Sequence, residues 1–156
     1  MGEILKRRIK QSADFKSPIG EAFVNLLVAA DYAQTQLDRV CAEFDITRGQ
    51  FNVLGIMRGA GTEGHPRYEI AARMVEKAPD VTRLIDRLER QGLVVRERSD
   101  EDRRHSITRI SQKGLKLLDK VEPKIDELKQ SMSKKMSLPE WIALSSLCEK
   151  VYDEQN

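Results

Sequence analysis

The stretch of sequence that decides the fold runs from Pro79 to Ser111 and reads PDVTRLIDRLERQGLVVRERSDEDRRHSITRIS. Its first part predicts a helix, because apolar residues recur at the i, i+3, i+4, i+7 spacing of one helix face. These apolar positions are Val81, Leu84, Ile85 and Leu88. The opposite face is polar and mostly basic, with Thr82, Arg83, Asp86, Arg87 and Arg90. Gln91-Gly92 is expected to end the helix, since glycine tolerates the left-handed conformation just past a helix end.

The second part of the stretch predicts a β-hairpin. Leu93-Val94-Val95 begins a β-rich run, and residues 107–110 return with β-branched side chains. Residues 99–102 between them have the composition of a turn, and Arg103 and Arg104 lie at the predicted tip. A helix followed by a charged two-stranded ribbon is typical of a winged helix-turn-helix. In such a module the helix enters the major groove of DNA while an arginine of the ribbon reaches the adjacent minor groove.

The run from Asp80 to Gly114 closely resembles the MarR family of bacterial winged-helix regulators. That family has a TVTRLVDRLE-like recognition helix, then GLV-R, a D-x-R wing tip and a leucine-threonine-x-x-glycine exit. Asp102 and Arg104 fall on the D-x-R pair, and residues 111–114 fall on the exit. The likeness extends over roughly residues 20 to 152 and includes the flanking helices.

The resemblance implies a mainly α fold with a small β wing, in which a winged helix-turn-helix is flanked by N- and C-terminal dimerisation helices. We divide the chain accordingly into a basic N-terminal tail (1–16), an N-terminal dimerisation helix (17–46), the winged helix-turn-helix DNA-binding domain (47–111) and C-terminal dimerisation helices (112–156).

The N-terminal segment carries five basic and two acidic side chains in residues 1–16. We interpret it as a mobile or loosely docked tail, and a basic arm on the DNA backbone is the alternative. Ser17-Pro18 then begins a helix, whose apolar residues from 19 to 44 step by four and three alternately. Such a seam packs on another helix, either within the chain or across a dimer axis. The positions predicted to dimerise are Ile19, Phe23, Leu26, Ile125, Leu128, Leu144, Leu147 and Val151.

The middle of the chain supplies the first helices of the winged module. Thr47-x-x-Gln50 is a capping box that begins a helix, and residues 59–66, with three glycines and a proline, end it. Residues 69–75 form the predicted first helix of the helix-turn-helix. Lys77 stands near the place where the family has a capping Ser or Thr, and it cannot accept a backbone N–H. Asp80 in the first turn is expected to compensate in part through the helix dipole.

The C-terminal part is predicted to be helical. Ser111 caps a helix that extends to about Lys135, with Pro123 inside it as a source of a kink. Ser137 and Glu140 form a second capping box, which begins a final amphipathic helix.

Composition limits the function classes. The 156 residues carry a net charge of +2, and residues 67–109 contain 11 Lys/Arg against 9 Asp/Glu. A DNA-facing positive patch must therefore arise from sorting these charges onto different faces. The two histidines, His65 and His105, have no metal-ligand spacing to each other or to a cysteine, so we expect no cofactor, no metal and no enzymatic activity. Cys41 and Cys148 are interpreted as buried structural thiols, with a redox role as the alternative.

We predict that the DNA contacts come from the start and the basic face of the recognition helix and from the wing. These residues are Ala78, Pro79, Asp80, Thr82, Arg83, Arg87, Arg90, Asp102, Arg103, Arg104 and His105. The resemblance implies that Asp102 orients Arg104 in the minor groove. The carboxylate of Asp80 would either accept from a cytosine amino group or repel phosphate.

The predicted function is that of a homodimeric repressor that binds a near-palindromic double-stranded DNA operator. The resemblance also implies a small aromatic or phenolic effector, for which Tyr32, Tyr68 and Trp141 are candidate pocket residues, with core packing as their alternative role. No apolar run is long enough to span a bilayer, so we expect a cytoplasmic protein without a membrane partner. The alternative function is a winged-helix dimer that acts through protein contacts without specific DNA binding.

Overall fold

A computed structural model describes residues 2–76, 80–97 and 106–153. Within these ranges the chain forms seven α-helices and three short β-strands. The elements in chain order are α1 (Glu3–Ile9), α2 (Pro18–Ala42), α3 (Arg48–Gly59), β1 (His65–Pro66), α4 (Arg67–Arg73), α5 (Val81–Arg90), β2 (Val94–Glu97), β3 (Ile107–Ile110), α6 (Gln112–Ser133) and α7 (Leu138–Tyr152). This arrangement confirms the predicted mainly α fold with a small β wing.

Several residues that the sequence singles out lie outside the described residues, and their contacts stay predictions. They belong to the turn before α5 and to the tip of the wing: Lys77, Ala78, Pro79, Ser99, Asp100, Asp102, Arg103, Arg104 and His105.

The N-terminal segment contains a short helix, which the sequence analysis did not predict. In α1 the side chain of Leu5 is buried. Lys6 forms ion pairs with Glu3 and Asp14, and Arg8 lies 3.7 Å from Asp31 of α2. A helix of seven residues is too short to be stable alone, so its stability must come from these contacts, which local periodicity does not reveal.

The long helix α2 divides its apolar seam between two environments. Ser17 begins the helix as predicted, and its hydroxyl accepts a hydrogen bond from the backbone N–H of Gly20 at 3.1 Å. In the second half of α2, Leu37 and Val40 pack against the core. In the first half, Ile19 is 82% exposed and Phe23 is 60% exposed. The apolar residues in the second half of α2 thus belong to the core, whereas those in the first half form an exposed apolar face.

Helix α3 lies at the centre of the core. Its predicted capping box is present: the hydroxyl of Thr47 accepts from the backbone N–H of Gln50 at 3.2 Å, and the Gln50 side chain accepts in return from that of Thr47 at 2.9 Å. Val53, Leu54 and Met57 are fully buried. Because α2, α4, α5, β3 and α6 all contact α3, this helix sets the position of the other elements.

The sheet is antiparallel with the order β1-β3-β2. Its β1 strand was not predicted from the sequence, because two residues are too few to show alternation. His65 pairs with Thr108, and the preceding Gly64 has φ +67°. A side chain at Gly64 would overlap the carbonyl oxygen of Thr108. The guanidinium Nε of Arg109 donates to the carbonyl oxygen of Thr62 at 2.6 Å, so the glycine-rich connection lies folded against the sheet edge.

The junction between α5 and the wing is a tight C-terminal cap. The backbone N–H of Gly92 donates to the carbonyl of Glu89, and that of Leu93 donates to the carbonyl of Leu88, both at 2.9 Å. Gly92 has φ +70°, as predicted for the residue past the helix end. Leu88 and Leu93 are both buried. The chain therefore leaves α5 in one fixed direction.

The exit from the wing is fixed in a similar way. Ser111 caps α6 by accepting from the backbone N–H of Gly114 at 3.0 Å. Its own hydroxyl donates to the carbonyl oxygen of Gly92 at 2.7 Å. The start of α6 and the end of α5 are thus joined through one serine.

The two C-terminal helices differ in how much they contribute to the core. In α6, Leu118, Val121 and Ile125 are buried. Ile125 was assigned to the dimer surface from the sequence, but it is only 8% exposed in the single chain. We therefore leave it out of the proposed dimer surface. By contrast, α7 begins at the predicted Ser137–Glu140 capping box and contributes no buried residue.

Among the described residues, no helix is long and apolar enough to cross a membrane.

We predict that Gly114→Ala destabilises the protein by about 1–3 kcal/mol, although alanine is the better helix former by about 1 kcal/mol. A side chain at this position would overlap the carbonyl oxygen of Leu93 and lie 2.8 Å from Cγ1 of Ile110. The measurement is urea unfolding followed by circular dichroism. Gly55→Ala is the matched control, because it also lies inside a helix and its added methyl group would meet nothing within 4 Å. Equal stability changes in the two variants would contradict the close approach of α6 to the wing.

Candidate nucleic-acid interface

Helix α5 presents one apolar and one basic face, as the spacing of its residues predicts. Val81, Ile85 and Leu88 are buried against the core. The polar side chains on the opposite face are exposed: Thr82, Arg83, Arg87 and Arg90. Burial of the first set fixes the rotation of the helix about its axis, and this rotation places the arginines in solvent.

The start of α5 differs from the sequence interpretation. Asp80 is the N-cap residue itself: its Oδ1 accepts from the backbone N–H of Arg83 at 3.2 Å. Its Oδ2 lies 3.1 Å from the guanidinium Nε of the same arginine. A carboxylate can cap a helix as serine does. The cap of this chain is therefore three residues after position 77, near which the family has its capping Ser or Thr. The Asp80–Arg83 pair is exposed and costs little to separate.

The two acidic residues of α5 are paired with one arginine of the wing. Arg96 of β2 is only 18% exposed, and its Nη2 lies 2.6 Å from Asp86 and 3.5 Å from Glu89. Arg87 makes no ion pair or side-chain hydrogen bond with any described residue. The guanidinium Nε of Arg90 donates to the backbone carbonyl oxygen of Asp86 at 3.2 Å. The charges are therefore sorted, with the carboxylates turned toward the wing and the arginines exposed, so a net charge of +2 is compatible with a basic face.

A partly buried polar contact holds the far end of α5. The side-chain N–H of Gln50, which is buried, donates to the side-chain oxygen of Gln91 at 3.0 Å. The ammonium group of Lys113 donates to the backbone carbonyl oxygen of Gln91 at 2.7 Å. Sequence reasoning identified Gln50 only as part of a capping box. Nothing in the local pattern shows that its second polar group reaches a residue 41 positions away.

The turn between α4 and α5 is held by α3. The side-chain oxygen of Asn52 accepts from the backbone N–H of Val75 at 3.0 Å. The guanidinium group of Arg48 lies 2.7 Å from the carboxylate of Glu76 and 3.2 Å from that of Asp38 on α2. None of these contacts was predicted, because each depends on how separate elements pack together.

A cavity of about 180 Å³ lies beside this turn. Its lining is largely apolar, with Arg48, Asn52 and Glu76 as the polar side chains. The lining residues are Leu37, Arg48, Gly49, Phe51, Asn52, Met74, Val75 and Glu76. The cavity thus lies between α2, the start of α3 and the turn of the helix-turn-helix.

The three aromatic residues proposed from the sequence do not line this cavity. Tyr32 accepts a hydrogen bond from Lys135 at 3.0 Å, and this bond lowers the pKa of the Tyr32 hydroxyl. Tyr68 is exposed on α4. Trp141 is half-buried on α7, and its indole N–H has no acceptor among the described residues. The role of these three residues in an effector site stays a prediction.

The cysteine thiols fit a structural role. Cys41 is completely buried. Burial, and secondarily the carboxylate of Asp38, raises the pKa of the Cys41 thiol to about 11. The thiol is therefore protonated near neutral pH, and the reactive thiolate is scarce. Cys148 is half-buried on α7, and neither cysteine forms a disulfide. No group of three or more His, Cys, Asp or Glu in the described parts of the chain is arranged to hold a metal ion.

The fold and this surface define a winged helix-turn-helix protein. An apolar helix face docks the recognition helix on the core, and a basic face is left in solvent beside a two-stranded wing. Comparison with known proteins makes the class more specific. A model of the MarR family matches residues 44–105.

Individual relatives extend the match over most of the chain. The crystal structure of a MarR transcription factor from Planctomyces limnophilus is 32% identical, covers 87% of this chain and 98% of its own, and superimposes with a TM-score of 0.69. The HTH-type transcriptional regulator FarR of Neisseria gonorrhoeae is 23% identical over 80% of this chain and 84% of that protein. The S. aureus MepR–DNA complex shares the fold, with a TM-score of 0.72, 22% identity and coverage of 88% and 97%.

The chain belongs to the MarR family. This confirms the resemblance recognised in the Asp80–Gly114 segment, and it identifies the protein as a transcription regulator rather than an enzyme.

Proposed function

We propose that the protein is a sequence-specific repressor that binds a near-palindromic double-stranded DNA operator as a homodimer. The observation that carries this proposal is the exposed arginine face of α5, whose neighbouring carboxylates Asp86 and Glu89 are paired with Arg96. An arginine-rich face favours phosphates and guanine edges. A dimer bound in this way represses by occupying DNA that the transcription machinery needs.

The proposed contacts divide between the two grooves. Thr82, Arg83 and Arg87 read the major groove, with Arg90 toward the backbone. At the leading end of the helix, Asp80 follows Ala78 and Pro79, which lie outside the described residues. Opening the exposed Asp80–Arg83 pair would free the arginine for DNA and leave the cap hydrogen bond in place.

The wing contact rests on the sequence motif, since the tip lies outside the described residues. Arg104, oriented by Asp102, enters the minor groove, while Arg103 and His105 lie near phosphates. The support from the structure is the antiparallel pairing of β2 with β3 next to α5. A narrow minor groove attracts an inserted arginine through its negative potential.

The proposed homodimer surface combines α7 with the first half of α2. Both carry large apolar side chains that are exposed in the single chain, and an exposed apolar area of this kind marks an interaction site. The residues are Ile19, Phe23, Leu27, Leu138, Ile142, Leu144, Leu147, Val151 and Tyr152. Leu26 and Leu128 are half-buried beside them. A second copy of the chain is the proposed occupant, because a two-fold dimer brings two recognition helices to the two halves of a palindrome.

The proposed effector is a small aromatic or phenolic acid, and the cavity beside the helix-turn-helix turn is its proposed site. The apolar walls from Leu37, Phe51 and Met74 suit a ring, and the guanidinium of Arg48 suits a carboxylate. A carboxylate bound to Arg48 would compete with Glu76, and the turn before α5 would then lose one of its contacts. In this proposal the effector weakens DNA binding from within a single protomer.

We predict that Arg87→Ala and Arg104→Ala each weaken binding to the operator by about 1–3 kcal/mol, because each removes a groove contact. The measurement is fluorescence anisotropy with DNA from upstream of the gene and with a scrambled duplex, at several salt concentrations. The wild type should prefer the upstream DNA, with a log–log salt slope of several units.

Lys129→Ala is the matched control, because Lys129 is an exposed basic residue on α6 that pairs with Asp126. It should leave the affinity for the operator unchanged. Full affinity in Arg104→Ala would remove the wing from the mechanism. Equal, weak binding of the wild type to both duplexes would support the alternative function through protein contacts.

We predict that Phe23→Glu converts the dimer into monomers and abolishes binding to the palindromic operator, because a charge would be buried at the proposed interface. Size-exclusion chromatography with light scattering measures the mass. Tyr68→Glu is the control, since Tyr68 is an exposed aromatic residue on α4, outside the proposed surface. A wild-type protein that runs as a monomer would disprove the dimer.

We predict that 2-hydroxybenzoate and benzoate bind the wild type in isothermal titration calorimetry and that Leu37→Trp abolishes binding by filling the cavity. Tyr32→Phe should bind as the wild type does, because Tyr32 does not line the cavity. Circular dichroism establishes that Leu37→Trp is folded. Absence of binding heat for a panel of aromatic acids would count against the effector.

A further inference from the structure

We propose that Arg48 and Asn52 are positioning residues, which hold the helix-turn-helix turn against α3 and thereby fix the recognition helix relative to the dimer helix α2. The proposal rests on the proposed function, and it concerns how the protein recognises the separation of two operator half-sites. Neither residue lies on α5 or on the wing.

Arg48 forms an ion-pair bridge between α2 and the turn. This residue is the first of α3, and its side chain is 24% exposed. One guanidinium group contacts Asp38 of α2 through Nη1 and Glu76 of the turn through Nη2. Because the two carboxylates belong to different elements, the arginine joins the dimer helix directly to the turn. A planar guanidinium holds such partners with a defined geometry that a lysine would not provide.

Asn52, on the same face of α3, holds the turn through a hydrogen bond. Asn52 lies one turn after Arg48, and its side-chain oxygen accepts from the backbone N–H of Val75. Two successive residues of the turn, Val75 and Glu76, are therefore held by side chains from one face of α3. The backbone has already left the helix at Met74, with φ −68° and ψ +138°, so this N–H is free for a side-chain acceptor.

Apolar packing contributes little to holding the turn. Val75 is 86% exposed, so its side chain gives the turn almost no apolar anchoring. The cavity lies next to the same residues. Met74 is the last buried residue before the turn, and Val81 is the next one among the described residues. Packing therefore fixes α4 and α5 individually, whereas the contacts of Arg48 and Asn52 fix the described part of the segment that joins them.

In a symmetric dimer, the contacts of Arg48 and Asn52 would influence which operators are recognised. The half-site separation that a dimer reads depends on the distance between its two recognition helices, and that distance is transmitted through α2. Loosening the link from α2 to the turn should broaden the range of separations that the dimer accepts. It should not change the number of phosphates that the protein contacts.

The test compares Arg48→Gln, Glu76→Gln and the double variant with the wild type, as dimers checked by light scattering and thermal unfolding. Anisotropy is measured on the operator and on versions whose half-site separation is changed by one base pair. Each single variant should bind the operator roughly tenfold more weakly, as expected for loss of a charge-assisted contact. The double variant should be no weaker than Arg48→Gln, since that substitution already removes the ion pair with Glu76. Preference among the separations should diminish, and the salt slope should stay the same.

Two controls separate positioning from general stability. Arg58→Gln removes another arginine of α3, which pairs with Glu122 of α6; it should leave the separation preference intact. Asn52→Asp keeps an acceptor for the N–H of Val75 and should retain the preference, whereas Asn52→Leu should lose it.

Two results would overturn the positioning role and leave the proposed function intact: wild-type affinity and separation preference in Arg48→Gln, or strictly additive losses in the double variant. A salt slope that falls by about one unit in Arg48→Gln would also overturn the positioning role, because it would mean that Arg48 contacts a phosphate directly. A wild-type protein that does not distinguish the operator from scrambled DNA would overturn the proposed function, and the positioning role with it.

Discussion

The burial of one face of α3 is the constraint on which the rest of the structure depends. Val53, Leu54 and Met57 are inaccessible to solvent, and α2, α5, β3 and α6 all pack around this helix. Because interiors are packed as densely as crystals, these contacts leave α5 a single rotation about its axis. The exposed arginines are therefore a consequence of what α5 buries. The polar side of α3 completes the arrangement, since Arg48 and Asn52 contact the turn and Gln50 contacts the far end of α5.

The separation of acidic and basic side chains onto different faces explains how a nearly neutral chain presents a basic surface. A surplus of two basic residues between positions 67 and 109 does not make a basic domain. The pairing of Arg96 with Asp86 and Glu89 removes two carboxylates from the face that would meet DNA. The wing thus acts on the electrostatics of the recognition helix. Total charge is a weak indicator of nucleic-acid binding in such a protein, because the distribution of charge determines the local potential.

The sequence predicted those features that local chemistry determines. The capping boxes at Thr47 and Ser137, the helix end at Gly92 and the two faces of α5 follow from spacing and from residue type, and the structure contains all of them. Features that depend on distant partners were missed. They include the docking of α1, the pairing of β1 with β3, the placement of Ile125 in the core and the cavity beside the turn. The cap at Asp80 was misjudged because the family pattern places a capping residue earlier.

The fixed joint at Gly92 has a consequence for binding energy. Two hydrogen bonds of 2.9 Å and the burial of Leu88 and Leu93 hold the wing to α5. In the proposed complex, a recognition helix that has entered its groove therefore brings the wing to the neighbouring groove at a high effective concentration. Little conformational entropy remains to be lost in the second contact. The two contacts should act as one cooperative unit, so that damage to either weakens both.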